Sequence, residues 1–271
     1  MNPAGRGRRT PSMLTGDGSP YEFAFGTGTG GVRYTLELDA TSPAHRYART
    51  ISALDAMSAN SLRDTVRARF ESIAAEGFSD YGAWIGGRHD DAGDRYKLYV
   101  EVSPLVSRAA QAMARDYLGS DVPHPRHRLA MIGHEPGGAT EFYFKTSGGW
   151  PTEVLVAFES DTTADPLAFI ANLPTPAYSG FSIALSAAGH RAAISVFGVA
   201  SMLLGDDADV RRALLSAPLG RGLVKTGYPA LSAPLAGRPG RNAHTMLAVV
   251  RVFGRGSEMR IALSPPEGDP A

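Results

Sequence analysis

The chain has 271 residues, 43% of them hydrophobic, which allows one large domain with a sizeable core or two small ones. Lys plus Arg number 27 and Asp plus Glu number 27, so the basic field that bulk nucleic-acid binding requires is missing. Cysteine is absent, which excludes disulfides and thiolate metal sites.

Residues 1–20 begin the chain with a segment rich in Gly, Pro, Arg and Ser. This segment has no apolar run, so we expect a disordered tail and not a signal peptide. Residues 265–271 are also rich in Pro and Gly, and we expect a loose tail there. Residues 21–264 are predicted to form a single domain. No stretch reaches the ~20 apolar residues of a membrane span, so we expect a cytoplasmic monomer with no membrane or nucleic-acid partner.

Five predicted β-hairpins follow in chain order, and each has two strand-like runs around a turn that contains glycine. The hairpins pair Tyr21–Gly26 with Gly31–Ala40, Tyr81–Arg88 with Asp94–Val102, Arg128–Glu135 with Thr140–Thr146, Gly180–Ser186 with Arg191–Val199, and Thr245–Val252 with Ser257–Ser264.

Between the hairpins, apolar residues recur at the spacing of an amphipathic helix. The predicted stripes are Tyr47, Ile51, Leu54 and Met57; Leu62, Val66, Phe70 and Ile73; Leu105, Ala109, Ala112 and Met113; and Val210, Leu214 and Leu215. Ser103 and Pro104 are predicted to cap and begin the third of these helices. Residues 223–242, rich in Gly and Pro, are predicted to form a long connection.

The strands alternate between a polar and an apolar face, as half-buried strands do. The polar faces carry the basic residues Arg33, Lys97, Lys145, Arg191 and Arg260. Amphipathic helices would cover the apolar faces, and ten strands favour closure because large open sheets leave edges exposed. The sequence therefore predicts an α+β fold, a ten-stranded antiparallel β-barrel of five hairpins with a polar lumen and an outer ring of α-helices.

Two motifs suggest phosphate or metal binding, but their context favours turns. The run from Gly26 to Gly31 matches G-x-G-x-x-G, yet a strand follows it where a dinucleotide site needs a helix. The run from Asp90 to Asp94 matches the aspartate-rich pattern of helical terpenoid synthases. Gly93 and the flanking strands instead predict a reverse turn. Coordination of Mg²⁺ by this turn at the barrel mouth stays open.

The hairpin and helix order, with short motifs in several strands, resembles the ABBA (αββα) barrel prenyltransferases over residues 21–264. Glu37-Leu38-Asp39, Lys97-Leu98-Tyr99 and Phe181-Ser182 are similar to strand motifs of that family. The family includes bacterial aromatic and cyanobactin-type peptide prenyltransferases. The resemblance implies an enzyme of natural product biosynthesis that binds an allylic diphosphate (DMAPP or GPP) in its lumen. Such an enzyme transfers the prenyl group to a small aromatic or peptide acceptor.

The resemblance and the inward polar faces together predict the site. The diphosphate-binding set is Arg33, Arg88, Lys97, Tyr143, Lys145, Ser182, Arg191 and Arg260. Glu37 and Glu101 are predicted to take the acceptor's proton. Tyr99, with Tyr143, is predicted to shield the allylic cation, a contact worth ~0.5–2 kcal/mol per ring. Asp39 is the predicted Mg²⁺ ligand, and the sequence permits this cofactor without requiring it.

Two other classes of function remain compatible with these residues. One is a non-catalytic barrel that binds a small anionic molecule, with or without a prenyl tail. The other is an open-sheet α+β interaction protein whose polar face meets water. Pairing between the first and last hairpins distinguishes the open sheet from the barrel, and an assay with prenyl diphosphates distinguishes binding from catalysis.

Overall fold

The structure of the chain is a computed structural model. It describes residues 12, 14–15, 18–28, 30–38, 42–58, 60–104, 107–119, 127–147, 149–159, 166–175, 178–237 and 242–265.

Ten antiparallel strands close into a barrel, as the sequence predicts. They are Tyr21–Gly26 (β1), Val32–Leu36 (β2), Ala83–Asp90 (β3), Gly93–Glu101 (β4), Arg128–His134 (β5), Thr140–Ser147 (β6), Tyr178–Leu185 (β7), Arg191–Val199 (β8), His244–Val252 (β9) and Gly256–Leu263 (β10). Each strand pairs with its neighbours in chain order, and β1 pairs with β10, where Phe25 lies opposite Ile261. The open-sheet alternative is therefore excluded.

Helices surround the described part of the barrel. The α-helices are Pro43–Met57 (α1), Asp64–Ala75 (α2), Arg108–Leu118 (α3), Thr152–Leu155 (α4), Pro166–Ala171 (α5), Ala200–Leu204 (α6), Asp207–Ser216 (α7) and Tyr228–Ser232 (α8), and Val156–Phe158, Pro218–Lys225 and Ala233–Gly237 are 3₁₀-helices. Among the described residues, no helix combines the length and the apolar character that crossing a membrane requires.

The hydrophobic core lies between the helices and the outward faces of the strands. Strand residues such as Leu98, Phe142 and Ile261 are fully buried there against helix residues such as Phe70 and Leu214. Full burial of a side chain of this size contributes roughly 1.5–3 kcal/mol. Since successive strand residues alternate between the two faces, this outer core directs the other face of each strand into the lumen.

Two helices differ from the sequence prediction. In α1 the buried residues are Arg46, Thr50 and Leu54, whereas Met57 is 41% exposed. Leu54 of the predicted stripe is buried, and Tyr47 and Ile51 pack against the core, but the stripe omits Arg46, which is buried with an ionic partner. The third predicted helix begins later than Ser103, since the Ser107 side chain accepts a hydrogen bond from the N–H of Ala110 and caps α3.

Two connections also differ. The predicted strand Gly31–Ala40 ends at Leu36, and the side chain of the next residue, Glu37, accepts hydrogen bonds from Arg46 and Ser12. The predicted long connection 223–242 contains the end of one 3₁₀-helix, α8 and a second 3₁₀-helix before residue 238. Ser12 is itself buried, so part of the predicted tail 1–20 contacts the barrel.

Candidate functional site

The strand registers fix which side chains share the lumen. Arg33 of β2 lies opposite Arg88 of β3, which lies opposite Arg95 of β4. The β4 strand then places Lys97 and Tyr99 on the same face as Arg95, at two-residue intervals. Further round the barrel the lumen-facing residues include Glu141, Tyr143, Ser182, Ser195 and Phe197, followed by Glu258 and Arg260.

Three predicted diphosphate donors converge on a single carboxylate, that of Glu141 on β6. Lys97 of β4 forms an ion pair with it over the intervening strand β5, and the Ser182 hydroxyl donates a hydrogen bond to its other oxygen. The Tyr143 hydroxyl donates to Glu141 Oε2 at 2.6 Å. The Lys97 ammonium also lies 5.2 Å from the centre of the Tyr99 ring.

The electrostatics of this cluster favour its ionised form. Burial alone would raise the pKa of Glu141, but the Lys97 charge and the hydrogen bonds from Lys97, Ser182 and Tyr143 lower it to about 2. Burial would lower the pKa of Lys97, yet the neighbouring Glu141 raises it. The pKa of Tyr143 is raised by burial and by the same carboxylate, so its hydroxyl stays protonated and donates.

A second group of cations, the arginine cluster of Arg33, Arg88 and Arg260, meets in the same lumen. The pKa of Arg33 is lowered to about 10, first by burial and then by the charges of Arg260 and Arg88. Arg260 donates through Nε to Glu258 Oε1 at 2.5 Å. Like charges that approach one another inside a protein make an anion binding site favourable, because an anion relieves their repulsion.

Aromatic side chains form a continuous band next to these charges. Trp84 stacks on Tyr99 with ring centroids 6.2 Å apart and an interplanar angle of 24°. Tyr99 contacts Tyr143 at 6.0 Å, and Tyr143 contacts Phe197 at 6.1 Å. The band provides ring faces on strands β3, β4, β6 and β8, and ring faces attract cations.

Glycines opposite these long side chains let them lie flat against the wall. A Cβ at Gly133 would come within 2.5 Å of Lys97 Cε, and one at Gly86 within 2.8 Å of the Tyr99 ring. At Gly180 a Cβ would meet the Phe197 ring at 2.5 Å. The lumen therefore keeps its width because the wall lacks side chains at these three positions.

Glu22 of β1 is a lumen residue that the sequence analysis missed. It lies opposite Thr35, one lumen-facing pair along the β1–β2 ladder from Arg33. Burial raises the pKa of this carboxyl from 4.5 to about 7, although hydrogen bonds with Thr245 and Thr35 oppose the shift. Glu22 follows Tyr21 at the start of a strand, and its alternation with Ala24 was the available signal.

Glu141 was also missed, although the sequence places it on the polar face of β6 with Tyr143. The sequence analysis assigned roles to basic and acidic residues separately, and it predicted no ion pair between β4 and β6. The contact between Lys97 and Glu141 joins residues 44 apart in the chain, and only the barrel register brings them together.

The other predicted site residues lie elsewhere or at the margins. Lys145 lies on the lumen side of β6 but is exposed, and Arg191 is exposed at the start of β8. Glu101 accepts hydrogen bonds from the backbone N–H groups of residues 80–82, so its oxygens are engaged at the end of the barrel. Glu37 is bound to Arg46 at 3.0 Å. These contacts direct both carboxylates away from the arginine cluster.

The Asp90 carboxylate, one of the candidates for Mg²⁺, has arginine partners. Asp90 lies at a turn, as predicted, where it accepts from the N–H of Ala92 and forms ion pairs with Arg88 and Arg95 at 2.6 Å each. Arginine partners oppose a divalent cation at that carboxylate. Asp39 lies outside the described residues, within which no cluster of three potential metal ligands occurs.

Comparison with known proteins identifies the fold. No family model and no curated protein matches the sequence. The prenyltransferase PriB, in a ternary complex with L-tryptophan and dimethylallyl thiolodiphosphate, is similar with a TM-score of 0.69 and 15% identity, over 96% of this chain and 86% of that one. The 5-dimethylallyl tryptophan synthase from Streptomyces coelicolor is similar with a TM-score of 0.68 and 14% identity, over 95% of this chain and 84% of that one.

A fungal structure shows the same architecture. AnaPT from Neosartorya fischeri is similar with a TM-score of 0.60 and 12% identity, over 94% of this chain and 81% of that one. Identities at this level establish architecture and not activity. The chain therefore has the fold of the ABBA-type aromatic prenyltransferases, as the resemblance in its sequence predicts.

Proposed function

We propose that this protein is a prenyltransferase that moves a prenyl group from an allylic diphosphate to a small aromatic or peptide acceptor inside the barrel. The observation that carries the proposal is the arginine cluster beside the aromatic band in a closed lumen. Related folds support it, since PriB and NotF have been solved with dimethylallyl thiolodiphosphate analogues and with L-tryptophan or brevianamide F.

Ionisation of the donor creates an anion and a cation, and the lumen has a group for each. The bond between the allylic carbon and the diphosphate oxygen breaks, and its electron pair leaves with the oxygen. Arg33, Arg88 and Arg260 lie close enough for their charges to interact, and ion pairs with Asp90 and Glu258 orient the latter two, so the cluster can stabilise the departing charge. The faces of Tyr99 and Tyr143 stabilise the allylic cation.

The acceptor then supplies the electron pair for the new bond and loses a proton. Glu22 is suited to accept that proton, because a base with a pKa of about 7 is about half ionised at neutral pH and still binds a proton well. This assignment replaces Glu37 and Glu101, whose oxygens are engaged by Arg46 and by the backbone of residues 80–82.

The direct experiment measures products and binding together. Purified protein is incubated with DMAPP or GPP and with tryptophan, tyrosine, hydroxynaphthalenes or short peptides, and masses are recorded. We expect one acceptor to gain one prenyl group. Absence of product with every acceptor, together with tight pyrophosphate binding, would favour the non-catalytic binding barrel.

Arg33→Met tests the anion site. We expect turnover to fall by ~10²–10³ and pyrophosphate to lose its stabilising effect in thermal melts. The melting temperature without ligand should stay the same or rise, since the substitution removes repulsion from Arg260 and Arg88.

The matched control is Arg212→Met on α7, where the arginine is 74% exposed and pairs only with Asp209 among the contacts described. We expect this variant to behave as the parent. Equal stabilisation of parent and Arg33→Met by pyrophosphate would show that the arginine cluster is not the diphosphate site.

A further inference from the structure

The lumen contains a carboxylate at the place where a phosphate would bind. Lys97, Tyr143 and Ser182 donate to Glu141 from three strands, and all three donors are at least half-buried. An ammonium, a phenol and a serine hydroxyl around one oxyanion is also the arrangement that binds a phosphate. In this structure the anion that they bind is supplied by the chain itself.

We propose that Glu141 is a built-in competitor of the diphosphate, which must displace it from Lys97 in order to bind. The inference rests on the proposed function, because it assumes that a diphosphate enters the lumen. It assigns Glu141 a role in specificity and in product release, and no role in bond making.

Competition follows from charge and geometry. The Lys97 ammonium has three protons to donate, and it already contacts both Glu141 and the Tyr143 hydroxyl, the latter at 3.3 Å. A phosphate that reached Lys97 would lie within contact distance of the Glu141 carboxylate, and two anions so close repel one another. The carboxylate therefore weakens ligand binding in either case: if it stays it repels the phosphate, and if it moves it loses its contact with Lys97.

Glu141 does not simply close the whole anion site. Arg33 and Arg88 are placed on β2 and β3, and Arg260 has its own carboxylate partner in Glu258. The ligand thus meets a region with guanidinium groups and, beside it, a lysine that already has a counterion. A prenyl diphosphate gains additional contacts from the aromatic band, whereas pyrophosphate alone gains none. Repulsion from the carboxylate acts on the diphosphate group of both ligands, but only the intact donor has the aromatic contacts that offset it.

The experiment compares pyrophosphate affinity in the parent and in Glu141→Gln by isothermal titration calorimetry. The amide keeps the size of the side chain and removes its charge, although its NH₂ group cannot accept a hydrogen bond as a carboxylate oxygen does. We expect pyrophosphate to bind about 10-fold tighter or more, because the variant loses an anionic neighbour. The inhibition constant of pyrophosphate as a product inhibitor should fall by a similar factor. Unchanged or weaker binding in a folded variant would overturn the proposal.

A second variant tests whether the competition concerns Lys97 itself. In a Lys97→Met background, Glu141→Gln should change pyrophosphate affinity by less than about 3-fold. The ammonium group for which Glu141 and pyrophosphate compete is then absent. An equal gain in both backgrounds would indicate general repulsion and would contradict the proposal. The double variant also removes the unpaired lysine, so it provides a measurement if Glu141→Gln folds poorly.

Glu153→Gln is the matched control, with the same substitution in α4 outside the barrel, where Glu153 contacts His127 at 2.5 Å. We expect parent affinity from it. If the parent itself shows no binding of pyrophosphate or of a prenyl diphosphate, the proposed function fails. If the parent binds and Glu141→Gln gives no gain, only the competitor inference fails.

Discussion

At the scale of single residues, the lumen contains two carboxyl groups whose surroundings shift their pKa values in opposite directions. Glu141 is surrounded by donors that lower its pKa to about 2, whereas burial raises the pKa of Glu22 to about 7. A pair of carboxyls with such different proton affinities commonly serves two different roles. Here the ionised one is suited to hold a cation and the other to exchange a proton.

Glu22→Gln tests the second role through the pH profile. With a suitable acceptor, we expect the parent's kcat/KM to rise as pH increases through about 7, because the base must be ionised. In the variant, kcat/KM should be ~10²–10⁴-fold lower and should not rise with pH in this range. A variant with the parent's profile would show that another group takes the proton.

Stability gives an independent check on Glu22. A carboxyl whose pKa is raised from 4.5 to about 7 in the folded state contributes stability below pH 4.5, which is lost as pH rises through 7. Thermal melts of the parent and Glu22→Gln should therefore agree near pH 4 and differ near pH 8, where the variant should be the more stable. An identical difference at both values would contradict the assigned shift.

At the scale of elements, one buried ion pair ties α1 to the entry of the barrel. Arg46 pairs with Glu37 after β2 and donates to the carbonyl of Asp80 before β3, each at 3.0 Å. Glu101, at the end of β4, accepts from the N–H groups of the same segment, including Tyr81 at 2.8 Å. A helix and three strand ends thus meet through charges that avoid the solvent.

Arg46→Met tests this junction. We expect the free energy of unfolding to fall by about 3 kcal/mol or more, because Glu37 would stay buried without its cation. Urea unfolding gives the value. Arg67→Met is the control, since Arg67 pairs with Asp55 on the exposed surface and such pairs contribute less than about 1 kcal/mol. Similar losses in both variants would show that burial of the Arg46 pair does not matter.

The same junction shows why some elements were predictable and others were not. The two-residue alternation in β4 and β6 is a local property, so the sequence predicts which residues enter the lumen. The buried face of α1 is not local, since Arg46 looks like a surface residue until Glu37 is placed beside it. Likewise, serine is a favoured cap at either position, so the sequence alone does not distinguish Ser103 from Ser107, which caps α3.

At the scale of the whole molecule, closure depends on the ladder between β1 and β10. Phe23 to Gly26 lie opposite Leu263 to Arg260, so strands 220 or more residues apart in sequence share hydrogen bonds. The sequence predicts five hairpins and favours a ring, because ten strands with one polar face are difficult to leave open. Which lumen side chains meet across the ring depends on register, which hairpin patterns do not contain. The ion pair between Glu141 and Lys97 could therefore not be predicted from the sequence.

Hydrogen exchange tests the closure directly. We expect backbone amides in the β1–β10 ladder to exchange within roughly tenfold of those in the β7–β8 ladder, since both are interior ladders of one closed sheet. Amides of the exposed turn at residues 187–189 serve as the fast reference. Exchange in β1 as fast as in that turn would indicate an open edge.

The glycines at 86, 133 and 180 carry a consequence for how such barrels diversify. Each is a notch in the wall that receives Tyr99, Lys97 or Phe197, respectively. One added methyl group at a notch would push its occupant toward the barrel axis and narrow the bore from that side. The width of the lumen is therefore adjustable in small increments at these three wall positions. Such changes leave strand number and register unchanged.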